Sequence, residues 1–189
     1  SMTEHLTIIP DWAEYSPRDD ERVIRIEPGI AFGTGDHPTT RLAIQAMSQH
    51  LTPKSTVFDV GTGSGIIALS AGALEAQSVT AFDLDETATA NARNHVAMNQ
   101  LESVVTVQTN NLLEGVAETA SLIVANIITP ILLRLLDDAY RCLEPKGVFI
   151  MSGIQEGEEQ TLIDAASAAG FINLSTTTEN NWVCITCHK

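Results

Sequence analysis

The chain has 189 residues, 44% of them hydrophobic, which fits one domain of ordinary size able to bury a real core. No stretch reaches the about 18 uninterrupted apolar residues that a membrane span needs, and no N-terminal segment has the order of a secretory signal, so a soluble cytoplasmic protein without a membrane partner is expected. The formal charge of −14 argues against direct nucleic-acid binding, which rests on Lys and Arg neutralising phosphates; it either attracts a basic partner or serves only solubility.

In chain order, Thr3 to Leu51 is an N-terminal arm with Trp12, Tyr15, a turn at Ser16-Pro17-Arg18-Asp19-Asp20, a glycine-containing loop, and a helix from His37 to His50. Ser55 to Val60 reads as a buried strand ended by glycines, and Gly65 to Leu74, small and apolar, as a buried helix. Ser78 to Phe82 is a second strand and Asp85 to Met98 an Ala-rich helix with Asp85 as its N-cap. Val104 to Gln108 and Leu122 to Ala125 are further strands. Pro130 suits the first turn of a helix whose Leu132, Leu135, Leu136, Ala139 and Leu143 share one face. Pro145-Lys146-Gly147 reads as a turn, Val148 to Met151 as a fifth strand and Glu156 to Ala169 as a helix. Phe171 to Thr177 and Trp182 to Thr186 are late strands joined by a hairpin turn at Asn180-Asn181. This alternation predicts a Rossmann-like α/β fold: a mostly parallel seven-stranded sheet with an antiparallel edge hairpin and helices on both faces. Residues 1–51 are assigned to an arm and helix within the same domain, residues 52–189 to its core.

Three cysteines without an export signal are expected as free thiols. Cys184-Ile-Thr-Cys187-His188 formally matches a c-type haem attachment pattern, but strand residues three apart point to opposite faces, so the thiols do not converge. A zinc site lacks a second Cys/His pair at ligand spacing.

The strongest local feature is Asp59-Val-Gly61-Thr-Gly63-Ser-Gly65, between a strand and a helix. Glycines let the backbone turn sharply and approach a ligand, and the helix start presents free N–H groups. A dinucleotide site uses Gly-x-Gly-x-x-Gly; here the third glycine comes one residue early, a spacing similar to motif I of class I methyltransferases, whose loop holds the amino acid part of S-adenosylmethionine. Asp59 repels a pyrophosphate but can hold an ammonium, directly or through water. Asp83, about 20 residues further on at the end of the second strand, can accept both ribose hydroxyls of an adenosine, a device shared with nicotinamide enzymes.

The most unusual stretch is Pro28 to Thr40, with Phe32-Gly33-Thr34-Gly35-Asp36-His37-Pro38-Thr39-Thr40 at its centre. Such a loop suits a cover over a ligand. It resembles the signature Phe-Gly-Thr-Gly-x-His-x-Thr-Thr of the ribosomal protein L-eleven methyltransferase family (PrmA). The resemblance continues through the glycine loop, Asp83, Ala125-Asn126-Ile127, Ser152-Gly153-Ile154 and Trp182, and so covers nearly the whole chain. It implies cofactor contacts at Thr40, Gly61, Asp83 and Asn126, with Phe32, Gly33, Thr34 and Gly35 near the methionine part; Asp59 and Gly63 complete the candidate set. Family members usually carry an additional N-terminal domain that recognises the ribosomal protein, and this chain starts just before the catalytic domain.

The implied chemistry is in-line methyl transfer from a sulfonium, which needs alignment and water exclusion rather than a metal. With a lysine pKa of about 10.4, roughly one acceptor amine in a few thousand is neutral at pH 7, so the pocket has to favour the neutral form. Asn126, ending the fourth strand, is the candidate catalytic residue: its side-chain oxygen can hold the amine with its lone pair toward the methyl. Ile127-Ile128 stand where DNA and glutamine methyltransferases carry prolines. His37 is either a base or, in the plainer reading, a loop-organising residue. The expected function is methylation of lysine side chains and/or the N-terminus of a basic large-subunit ribosomal protein. The competing readings are a class I methyltransferase for another protein or a small molecule, a nicotinamide-dependent oxidoreductase, and a silent binding module.

Overall fold

The computed structural model describes residues 2–28 and 37–189. β1 (Leu6–Pro10) and β2 (Arg22–Ile26) pair in parallel as a separate two-stranded sheet. The sequence reading placed no strand here: each run has five residues, and the first ends in a proline, so little local periodicity marks them. Two strands alone are marginal. These are held because Leu6, Ile24 and Ile26 are buried in one apolar cluster with core helix residues such as Leu69 and Val96. The turn between them is organised by Glu21, whose carboxylate accepts from the Thr7 hydroxyl, the Arg18 amide (3.0 Å) and the Tyr15 hydroxyl (2.8 Å). These bonds, led by that from Thr7, hold the Glu21 carboxyl down to about 2.

α1 (Pro38–His50) starts on a proline and is capped by His37, whose Nδ1 accepts from the Thr39 amide at 3.2 Å. The chain then alternates: β3 (Thr56–Val60), α2 (Ile66–Ala73), β4 (Ser78–Asp83), α3 (Glu86–Met98), β5 (Val105–Thr109), β6 (Ala120–Asn126), α4 (Thr129–Cys142), β7 (Leu143–Gln155), α5 (Glu159–Ala169), β8 (Ile172–Glu179) and β9 (Trp182–His188). Seven strands form one sheet in the order β5-β4-β3-β6-β7-β9-β8; the five from β5 to β7 run parallel, and β9 pairs antiparallel with both β7 and β8. Asp85 caps α3 as expected, its side chain accepting from the Thr87 amide at 2.9 Å. Asn180 and Asn181 both have positive φ, the geometry of a two-residue hairpin matched to strand twist. The expected turn at Pro145 to Gly147 lies inside β7, as a kink with Lys146 at φ 67° and a register shift against β6.

The sheet separates two apolar clusters. Along β6, Leu122 and Val124 face the side covered by α1 and α2, while Ile123 and Ala125 face the side covered by α4 and α5. The same alternation sends Cys184 to the first cluster and Cys187 to the second, as the strand geometry required.

Two tests follow from this packing. Burial pushes the Cys184 and Cys187 thiols up to about 12 and also raises Cys142, so Ellman's reagent at pH 8 is expected to label none of the three in the folded chain and all three in guanidinium. The lowered Glu21 carboxyl stabilises the fold above its unfolded value of about 4.3, and that stability is lost as pH falls through about 2. Denaturation curves of the parent and E21Q should therefore differ most near neutrality and converge as pH falls toward 2.

Candidate active site

A cavity of about 450 Å³ opens where β3, β4, β5 and β6 end. These are the carboxyl ends of the strands, at the point where the strand order reverses between β3 and β6, which is where open α/β sheets bind ligands.

The glycine loop forms its floor. Gly61 and Thr62 donate to the same carbonyl, that of Phe82, at 2.8 and 2.9 Å, so the loop leaves β3 turned over the end of β4. Gly61 has φ 75°, and a Cβ there would lie 2.5 Å from the Ile127 side chain. Only glycine permits both the turn and this contact. Gly61 and Gly63 both line the cavity.

Asp59 lies deeper than the two glycines. Its side chain is fully buried below the loop and does not line the cavity. Its Oδ2 accepts from the Thr62 hydroxyl (2.6 Å) and the Ala68 amide (3.1 Å), while Oδ1 is buried without a partner among the described residues. Burial pushes its carboxyl up to about 7 despite the Thr62 and Ala68 bonds. Asp83 does line the cavity; its Oδ2 accepts from the Gly63 amide at 2.9 Å and its Oδ1 from the Asp85 amide at 3.0 Å, so it fixes the loop as well as facing the cavity.

Asn126 forms the opposite wall. Its Nδ2 donates to the Thr40 hydroxyl at 3.4 Å; Thr40 is fully buried in α1, behind Asn126 rather than on the cavity surface. Two more bonds brace this corner: Ser152 Oγ donates to the Thr39 carbonyl (2.7 Å), and the Ile127 amide donates to the Ser152 carbonyl (3.1 Å). Gly153, at φ 86°, passes so close that a Cβ would lie 2.6 Å from the Ile127 carbonyl and 3.1 Å from Asn126 Oδ1. His37 bonds Thr39 and meets Trp182 edge-on with ring centroids 5.0 Å apart. Phe32, Gly33, Thr34 and Gly35 lie outside the described residues.

The sequence reading missed the third wall. Asn110, Asn111 and Leu112 follow β5, and Leu84, 66% exposed, faces the cavity from the end of β4. No motif marks them; the available signal was topological, since every strand end on this side of the sheet contributes a wall. Ile128 and Arg134 at the start of α4 complete the rim. No group of three or more metal-ligating side chains occurs among the described residues.

A sheet in this strand order, with a glycine loop after its central strand, an acid after the next and an asparagine after β6, defines a Rossmann-like methyltransferase fold. The 14% identical precorrin-6y C5,15-methyltransferase of Geobacter metallireducens shares that fold with a TM-score of 0.68, over 88% of this chain and 95% of its own. The chain belongs to the ribosomal protein L11 methyltransferase (PrmA) family, whose model matches residues 1–189. It is 46% identical over its full length to the ribosomal protein L11 methyltransferase of Geobacillus kaustophilus, spanning 61% of that protein. It is 42% identical over 97% of its length to that of Listeria welshimeri, spanning 59%. The chain thus covers about three fifths of the curated relatives it matches. A solved ribosomal protein L11 methylase from Lactobacillus delbrueckii superposes with a TM-score of 0.93 at 34% identity, over 99% of this chain and 96% of its own.

Gly153 offers the sharpest test of this corner. G153A has to adopt a left-handed backbone against the Ile127 carbonyl, at a cost of about 1–3 kcal/mol. It is expected to lower the melting temperature; a native melting curve would show that the corner has room to spare.

Proposed function

We propose that the chain binds S-adenosylmethionine in this cavity and transfers its methyl group to amino groups, lysine side chains and/or the N-terminus, of a large-subunit ribosomal protein. The observation that carries the reading is the convergence of Gly61, Gly63, Asp83 and Asn126 on one cavity in a chain of this family. The acceptor rests on the family and on the names of its relatives; the −14 charge suits a basic partner.

The residues present fit the cofactor. Asp83 retains acceptor capacity for the two ribose hydroxyls, since each carboxylate oxygen takes more than one bond. Leu84 and Leu112, with Asn110 and Asn111 beside them, offer an apolar slot with polar edges for the adenine. The unpartnered Oδ1 of Asp59 suits an ammonium reached through water at the glycine loop. Thr40 is assigned to the same end through its bond with Asn126, and Phe32 to Gly35 are assigned to the methionine part.

When bound, S-adenosylmethionine supplies an activated methyl and a neutral thioether leaving group. The chain's own residues do the rest. Asn126 accepts a hydrogen bond from the acceptor amine and holds its lone pair in line, with Thr40 fixing the carboxamide from behind. Ile127, Ile128 and Ile131 wall the approach with apolar surface, which lowers the pKa of an entering ammonium and keeps water out. The proton leaves to solvent.

Calorimetric titration with S-adenosylhomocysteine, with NAD as control, tests the cofactor: saturable binding of the first alone is expected, and binding of NAD instead would establish the oxidoreductase reading. With Asp59 held near 7, an ammonium linked to it through water favours the ionised carboxylate. Binding at pH 7 is therefore expected to release a fraction of a proton, read as different heats in phosphate and Tris, and D59N to abolish the difference. Intact-mass analysis of ribosomal proteins incubated with chain and cofactor tests the acceptor; N126A should retain binding and lose methylation by at least about tenfold.

A further inference from the structure

α3 carries a histidine that none of the roles above uses. His95 is 1% exposed. Its Nδ1 lies 2.7 Å from the Ser64 carbonyl oxygen, inside the glycine loop. Its Nε2 lies 3.0 Å from the backbone nitrogen of Glu27, the residue directly after β2. A carbonyl only accepts and a backbone amide only donates, so these partners together require a neutral ring with its proton on Nδ1. A buried histidine bonded once to any carbonyl would be ordinary core. This one bridges two backbone segments 37 residues apart in sequence, one the floor of the cavity and the other the root of the Pro28 to Thr40 signature stretch.

The surroundings make the bridge stiff. One turn after His95, Asn99 accepts from the Arg25 amide and donates to the Arg25 carbonyl, both at 2.8 Å, so α3 grips β2 at two successive points. One turn before it, Ala92 stands 3.2 Å from where a Cβ on Gly65 would lie, so the same helix face meets the loop. The N-terminal end of α3 reaches the loop again through Asp83, which bonds both Gly63 and Asp85.

We propose that His95 is a positioning residue that ties the glycine loop to the end of β2, so that cofactor binding at the loop is felt at Glu27, the residue before the signature stretch. The proposal rests on the cofactor reading above. Two substitutions separate the two bonds. In H95N the amide nitrogen replaces Nδ1 and keeps the bond to Ser64 while Glu27 loses its acceptor. In H95Q the longer side chain reaches Glu27 and gives up Ser64.

The parent chain is expected to slow hydrogen exchange at the Glu27 amide about tenfold on saturation with S-adenosylhomocysteine, and H95N to bind with unchanged Kd but without that slowing. H95Q is expected to bind about tenfold more weakly, the loss of one hydrogen bond to the loop. If both variants keep parental Kd and parental exchange at Glu27, and only their melting temperatures fall, His95 is packing alone and the proposal fails. Should neither variant fold, nitrogen NMR of the histidine-labelled parent decides: a proton on Nδ1 supports the tie, and a proton on Nε2 overturns it. Failure of the parent to bind S-adenosylhomocysteine at all would instead sink the cofactor reading, and the tautomer in the free protein would still judge the bridge.

Discussion

One backbone oxygen sets the geometry of the site. The carbonyl of Phe82, at the end of β4, accepts the amides of both Gly61 and Thr62. That pair of bonds decides the direction in which the chain leaves β3, and the rest follows. It brings Gly61 against Ile127 at a separation no side chain tolerates, turns the Gly63 amide toward Asp83, and starts α2 where Ala68 can bond the buried Asp59. The loop is thus fastened to three neighbouring strand ends at once, which pre-organises it before any ligand arrives.

The corner opposite is built from elements far apart in sequence. Thr39 and Thr40 of α1, Asn126 of β6 and Ser152 with Gly153 of β7 lock through two side-chain hydrogen bonds and one close backbone passage. Each contributes a different kind of constraint. Thr40 steadies an amide, Ser152 anchors the start of a helix, and Gly153 removes the atom that would push Asn126 aside.

The core strands and helices were legible because their signals are local. Buried parallel strands are short apolar runs, Asp85 is a cap, and Asn180-Asn181 is a hairpin turn by its side-chain chemistry alone. β1 and β2 were not legible because their pairing depends on Leu6, Ile24 and Ile26 reaching a cluster made by residues far down the chain. The lining at Asn110 to Leu112 escaped for a similar reason: only the strand order reveals it. Asp59 was found by motif, but its depth was not, since a two-letter position at a strand end does not say on which side of the loop the carboxylate lies. His95 carried no signal at all; a lone histidine in a helix gains its meaning only from the two backbone groups it meets.

The placement of β9 orders events in time. β8 is an outer strand whose only neighbour in the sheet among the described residues is β9, and β9 also closes the free side of β7. A ribosome making this chain delivers β8 before the strand that must lie between it and β7. Throughout that interval β7 presents an open edge of unpaired amides and carbonyls, and β8 has nothing to join. The seven-residue strand β9 therefore acts as a keystone: the sheet from β5 to β7 can assemble as it emerges, but its far side closes only when residues 182–188 are there to pair with both β7 and β8.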